Sequence, residues 1–191
     1  MRSSFTALTW IVLLATAGYQ RVAADDPSFR NTVYLIRNGE TNTKEFGSGL
    51  TQTGILRSQC LPSVFGPNTA QTVGYILAEP PLKRKSNVSD AVDTVIPLAE
   101  SLRIPIDISC GHDDKDCVAE ALSTFAVKNS TASMLVVWDS DLLPDIAEAL
   151  GASDVNDWPK GRHDLIWTIQ KNKIRSRASE ACPGLDNVVP V

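Results

Sequence analysis

No stretch of this sequence is apolar for long enough to cross a bilayer, which takes about 20 residues. The best candidate is 7–18 (ALTWIVLLATAG), and no later segment is longer or freer of charge. A basic start at Arg2 precedes that run and a small-residue exit, Val22-Ala23-Ala24, follows it, which is the pattern of a secretory signal peptide. Residues 1–24 are therefore read as a signal peptide cleaved after Ala24, and 25–191 as one domain, soluble and secreted. An excess of positive charge is missing too: 18 Lys and Arg stand against 22 Asp and Glu, for a formal charge of -4. Loss of Arg2 and Arg21 with the leader takes that charge to -6, which argues against nucleic acid as a partner. Internal repeats, low-complexity tracts and heptads are absent as well, so solenoids and coiled coils are excluded.

Cysteine is sparse but even in number, and secretion makes disulfides available. Four cysteines allow three pairings. Cys110 and Cys117 flank the polar loop GHDDKD, while Cys60 and Cys182 lie far apart, so the pairs are read as 110 with 117 and 60 with 182. Cys110, His112 and Cys117 also read as metal ligands, but an oxidising compartment and a single nearby histidine favour a bridge, and no metal is expected. Two Asn-x-Ser/Thr sequons, at Asn87 and Asn129, lie in polar stretches and are expected to carry glycans on exposed loops.

Apolar and β-branched runs alternate with segments of helical spacing, which predicts βα units and a mainly parallel sheet: an α/β three-layer sandwich. Strands are read at 32–37 (TVYLIR), 72–78, 104–108, 134–138 (MLVVW) and, last, 165–169 (LIWTI). Pro105 suits 104–108 to a sheet edge. Helices are read at 53–65 despite Pro62, at 93–102, at 116–127 and at 141–150, the last capped by Asp141 and ended by Gly151. The stretch 79–89, with Pro80-Pro81 and Lys83-Arg84-Lys85, is read as a solvated loop. Trp138 and Trp167 are expected in the core, and His112 and His163 on the solvated surface.

Four short motifs stand in order. Val33-Tyr34-Leu35-Ile36-Arg37-Asn38-Gly39-Glu40 closes the first strand, and Leu50-Thr51-Gln52-Thr53-Gly54 with Arg57-Ser58-Gln59 opens the first helix. Asp93-Thr94-Val95 with Pro97-Leu98-Ala99 follows the second strand, and Val136-Val137-Trp138-Asp139-Ser140 ends a later one. Together they resemble the histidine phosphatase, or phosphoglycerate mutase-like, superfamily, over 33–185. Cys182-Pro183-Gly184-Leu185 and the cysteines are similar to a small secreted branch associated with filamentous fungi. Without its flanks, Asn38-Gly39 alone would read as a tight turn.

The resemblance implies a phosphoglycerate mutase-like fold and a pocket in which a histidine takes the phosphoryl group, while two arginines and a second histidine hold its oxygens. Here the nucleophile's position is Asn38, the second histidine's is Ser140 and the second arginine's is Asp90. An amide nitrogen is delocalised and is not a nucleophile. At Asp90 an attractive charge becomes a repulsive one. No catalytic residue for phosphoryl transfer is therefore expected, and Arg37, Asn38, Glu40, Asp139 and Ser140 are the candidate ligand-binding residues, with no cofactor. The function expected is that of a pseudo-phosphatase binding an unknown small molecule or an extracellular protein. The rival is a repurposed enzyme working on a non-phosphate substrate, for example in secondary metabolism, with Glu40, Asp90, Asp139 and Asp141 as acids or bases. Ser140 between two aspartates suggests a serine triad, but no motif supplies its histidine.

Overall fold

A computed structural model describes residues 30–42, 49–81 and 89–186. The expected signal peptide at 1–24, the basic triplet Lys83-Arg84-Lys85 and Asn87 lie outside the described residues. Among those described, no helix is long and apolar enough to cross a membrane.

The chain runs β1 (Val33–Arg37), α1 (Gln52–Phe65), β2 (Val73–Ala78), α2 (Asp90–Leu102), β3 (Ile106–Asp107), α3 (Lys115–Lys128), β4 (Ser133–Trp138), α4 (Leu143–Ala149), β5 (Leu165–Gln170) and β6 (Lys173–Ser179). These form one sheet in the order β3-β2-β4-β1-β5-β6. β3, β2, β4 and β1 pair in parallel, β5 pairs antiparallel with β1, and β6 antiparallel with β5.

The period of two along the strands assigns the faces. Tyr34 and Ile36 of β1, with Leu135 and Val137 of β4, pack against Leu61, Phe65, Val95 and Leu98 of α1 and α2. Val33 and Leu35, with Met134, Val136 and Trp138, pack against Val118 and Leu122 of α3 and Ile146 of α4 on the other side. The result is the expected three-layer α/β sandwich with a mainly parallel sheet, and Trp138 and Trp167 are both fully buried in it.

Helix starts follow local capping chemistry. Thr51 caps α1 by accepting from Gly54 N, Ser89 caps α2 by accepting from Val92 N, and Asp114 caps α3 by accepting from Cys117 N. α1 tolerates Pro62 near its end, as expected. α2 begins at Asp90, earlier than the 93 expected, because Ser89 supplies the cap. α4 is shorter than expected and Asp141 does not cap it: Leu142 is the N-cap residue, without a side-chain bond, and Asp141 N instead donates to Asp139 Oδ1 at 2.8 Å. Gly151, with φ +83°, follows its end as expected.

Two corrections concern the sheet. The short edge strand is confined to Ile106–Asp107. More importantly, β5 is not last, because β6 folds back on it through Lys171 and Asn172, whose φ values of 50° and 57° make the left-handed pair that a two-residue hairpin needs. The guanidinium of Arg177 on β6 lies 4.9 Å over the ring of Trp167.

Both disulfides pair as expected, Cys60 with Cys182 and Cys110 with Cys117. The first pins the segment after β6 to α1.

Candidate functional site

The carboxyl ends of β1, β2 and β4 are adjacent in the parallel part of the sheet, the place where open α/β sheets present ligand-binding groups. They bring Arg37-Asn38-Gly39-Glu40, Glu79 and Asp139-Ser140 to one edge. The backbone there is tightly fixed. Asn38 N donates to Trp138 O at 3.2 Å, and Gly39 N donates to Thr94 Oγ1 at 2.8 Å, whose hydroxyl donates to Asp90 O at 2.7 Å. The turn at Gly39 lies against Gly54 of α1, and a Cβ on Gly54 would collide with the main-chain oxygen of Glu40. That close approach gives the two glycines of the Asn-Gly-Glu and Leu-Thr-x-x-Gly motifs their physical reason.

Asn38 is 8% exposed, and its Nδ2 donates to Gly39 O at 3.0 Å. Arg37 has a buried Nε with no hydrogen-bond partner among the described residues. Burial lowers its pKa, against the opposing pull of Asp139, Asp141 and Glu40. Asp90, in the first turn of α2, accepts from Gly49 N at 2.9 Å. Asp139 and Ser140 are partly exposed just beyond β4.

Glu40 is gripped by Arg57, with Nε to Oε2 at 3.0 Å and Nη2 to Oε1 at 2.8 Å. Burial pushes the Glu40 carboxyl up, but the hydrogen bonds from Arg57 outweigh it and hold it below the ordinary value. Arg57, only 3% exposed, also binds Glu180 at 2.8 Å and Asp186 at 3.0 Å. One guanidinium cannot neutralise three carboxylates. Glu180, fully buried and with Oε1 unpartnered among the described residues, is pushed up to about 8, chiefly by burial, and so holds a proton at neutral pH. Although the Arg57–Glu180 contact has the distance of an ion pair, we treat it as a hydrogen bond to a largely neutral acid. Glu180, Cys182 and Asp186 have the spacing of metal ligands, but the Cys182 sulfur is in a disulfide and both carboxylates are engaged by Arg57, so the donor set does not suit a metal.

Both histidines depart from the expectation of solvated surface residues. His112 Nδ1 is in contact with Glu79 Oε1, whose second oxygen accepts from Asp139 N at 2.9 Å, and Trp138 Nε1 donates to His112 O at 2.8 Å. Burial raises the pKa of Glu79, against the pull of His112. His163 Nδ1 meets Asn38 O at 2.9 Å, so a residue 125 positions away lies against the end of β1. Burial lowers its pKa, the nearby Arg37 and Arg57 add to that, and the bond to Asn38 and the charge of Glu40 oppose it. Arg57 falls within the second motif segment, but nothing local in the sequence marks its three carboxylate partners, and nothing local marks His163 or Glu180 as parts of this edge. Asn129 lies exposed at the end of α3, as its sequon predicts.

The fold these features sit on is that of the histidine phosphatases. It is similar to the solved structure of the protein histidine phosphatase SixA complexed with tungstate, with a TM-score of 0.57 and 15% identity over 78% of this chain and 97% of that one. Two further similar structures are a mycobacterial glucosyl-3-phosphoglycerate phosphatase with inorganic phosphate (TM-score 0.48, 12% identity, covering 63% of this chain and 79% of that one) and an alpha-ribazole phosphatase from Shigella flexneri (0.42, 15%, 61% and 78%). No family model and no curated protein matches the sequence.

Proposed function

We propose that the chain is a secreted pseudo-phosphatase, a histidine phosphatase-like fold without the nucleophilic imidazole, whose crevice binds a small molecule rather than transferring phosphoryl groups. The observation that carries this reading is Asn38 at the end of β1: an amide that cannot take and release a phosphoryl group, its nitrogen engaged by Gly39 O. The surrounding charge supports it. Asp139, Asp141 and Glu40 all act on Arg37, so a phosphate dianion would meet carboxylates around the remaining family-like arginine. The two disulfides and the leader pattern at 1–24 support an extracellular location. The test is hydrolysis of p-nitrophenyl phosphate and of a phosphohistidine peptide by the purified mature protein. Negligible turnover is expected, and turnover at the level of a working phosphatase would overturn the reading.

One observation favours a second reading, an enzyme acting on a non-phosphate substrate at the same edge. The buried carboxylate of Glu79 orients the imidazole of His112 beside Asp139, an arrangement suited to proton transfer. Deletion of the gene separates the two: accumulation of a biosynthetic intermediate supports the enzyme, and an unchanged metabolite profile supports the binder.

A further inference from the structure

The loop that carries His163 is held on both sides. Before it, Gly161 turns with φ +73°, Trp158 Nε1 donates to Arg162 O at 2.9 Å, and the Trp158 ring packs on Trp167 with centroids 4.7 Å apart. After it, buried Asp164 grips Arg162 through two bonds of 2.6 and 2.8 Å, and its main-chain oxygen accepts from Glu180 N at 2.6 Å. An imidazole on such a segment is placed by the fold, not by its own torsional preference.

Its orientation follows from its partner. Asn38 O can only accept, so Nδ1 carries the hydrogen and Nε2 is the acceptor of the neutral ring. Among the described residues Nε2 has no hydrogen-bond partner. His163 lines a cavity of about 300 Å³ together with Glu40, Arg57, Arg162, Asp164 and Asp186.

We propose that this cavity, which shares Glu40 with the sheet edge but is not lined by Arg37, Asn38, Asp139 or Ser140, is the protein's ligand site, and that His163 Nε2 accepts a hydrogen bond there from an uncharged, hydroxyl-bearing molecule of about monosaccharide size. This rests on the reading of the protein as a small-molecule binder and names the class it binds.

The charge inventory selects the class. Arg57 is committed to Glu40, Glu180 and Asp186, and Arg162 to Asp164. At the buried Arg57 an anion would have to displace Glu40 or Asp186, and breaking a buried ion pair is strongly unfavourable; at the partly exposed Arg162 it would meet Asp164, already held by Nε and Nη2. A cation would meet carboxylates whose oxygens already accept from guanidinium groups. A neutral donor meets neither obstacle, because the imidazole lone pair is available and the paired carboxylates and guanidiniums line the cavity with further polar edges. The volume of about 300 Å³ lies at the lower end of small-molecule sites, which fits a single sugar or cyclitol ring.

Two histidines in the whole chain make the test spectroscopically clean. Proton–carbon NMR of the mature protein with ring-labelled histidine is recorded against methyl α-glucoside, myo-inositol and glycerol, and separately against inorganic phosphate. Saturable movement of the His163 Cε1–H signal by a neutral probe, with His112 unmoved, is the expected result, and His163→Phe assigns the signal by removing it. If no neutral probe moves His163, the proposal is overturned, while silence toward phosphate leaves the pseudo-phosphatase reading standing. If phosphate moves it and the neutral probes do not, the proposal falls, and the pseudo-phosphatase reading is decided separately by the turnover assay. Because the decisive titration uses the unmodified protein, a His163→Phe variant that fails to fold does not rescue the proposal.

Discussion

Arg57 and Glu180, 123 positions apart in the chain, meet at 2.8 Å in the interior, and the carboxyl of Glu180 there holds its proton to about pH 8. This acid's pKa is raised on folding, so the folded state binds the extra proton. The stability it contributes is fully present below its unfolded value of about 4.5 and is lost as pH rises through about 8. Urea denaturation between pH 5 and 8 should show stability falling by up to ~1.4 kcal/mol per pH unit from this one group. Glu180→Gln, which keeps an acceptor for Arg57, should remove that slope. An unchanged slope in the variant would refute the assignment.

Gly54→Ala should destabilise the fold by about 2–3 kcal/mol, because the added methyl meets the main-chain oxygen of Glu40, which the Thr51 N–H also holds at 2.8 Å. Gly184→Ala is the comparison. Space is open around that position and only its φ of +77° opposes a side chain, at roughly 1–2 kcal/mol. Equal losses in thermal melts of the two variants would contradict the close approach.

Removing the Cys60–Cys182 bridge, which closes 122 positions, should cost about 5 kcal/mol, and removing Cys110–Cys117, which closes 7, about 2 kcal/mol on chain-entropy grounds. Chemical denaturation of paired Cys→Ser variants measures both. The order of the two losses is the prediction, and a larger loss from the short loop would oppose it.

Asn38→His alone should yield no measurable turnover of p-nitrophenyl phosphate. The new imidazole would still face an arginine surrounded by Asp139, Asp141 and Glu40, and it would stand beside His163. Steady-state assays of the folded variant decide this, and recovery of phosphatase-level rates would show that the rest of the pocket is intact.

Periodicity exposed the parallel core well, because β1 and β4 are buried on both faces and read as unbroken apolar runs. β6 was invisible to the same test. Lys173, Arg175 and Arg177 alternate with Ile174, Ser176 and Ala178, so the strand has little apolar face and owes its place to backbone pairing with β5 and to the turn at Lys171 and Asn172. The motif residues Arg37, Asn38, Glu40, Asp139 and Ser140 do gather at one sheet edge. Pairings between distant parts of the chain left no local trace. Arg57 finds Asp186 129 positions away, and His163 finds Asn38 at 125. Glu79 read as part of a loop, yet it is buried because β2 ends directly before it and Asp139 N and His112 take up its two oxygens.

The long bridge from α1 to the segment after β6 encloses every loop from β2 to β5. A single proteolytic cut in any of those loops therefore leaves both fragments covalently joined, with Arg57 still clasping the far end from within. Cleavage would become visible on a gel only after reduction, so a nicked molecule in a protease-rich medium can persist in one piece.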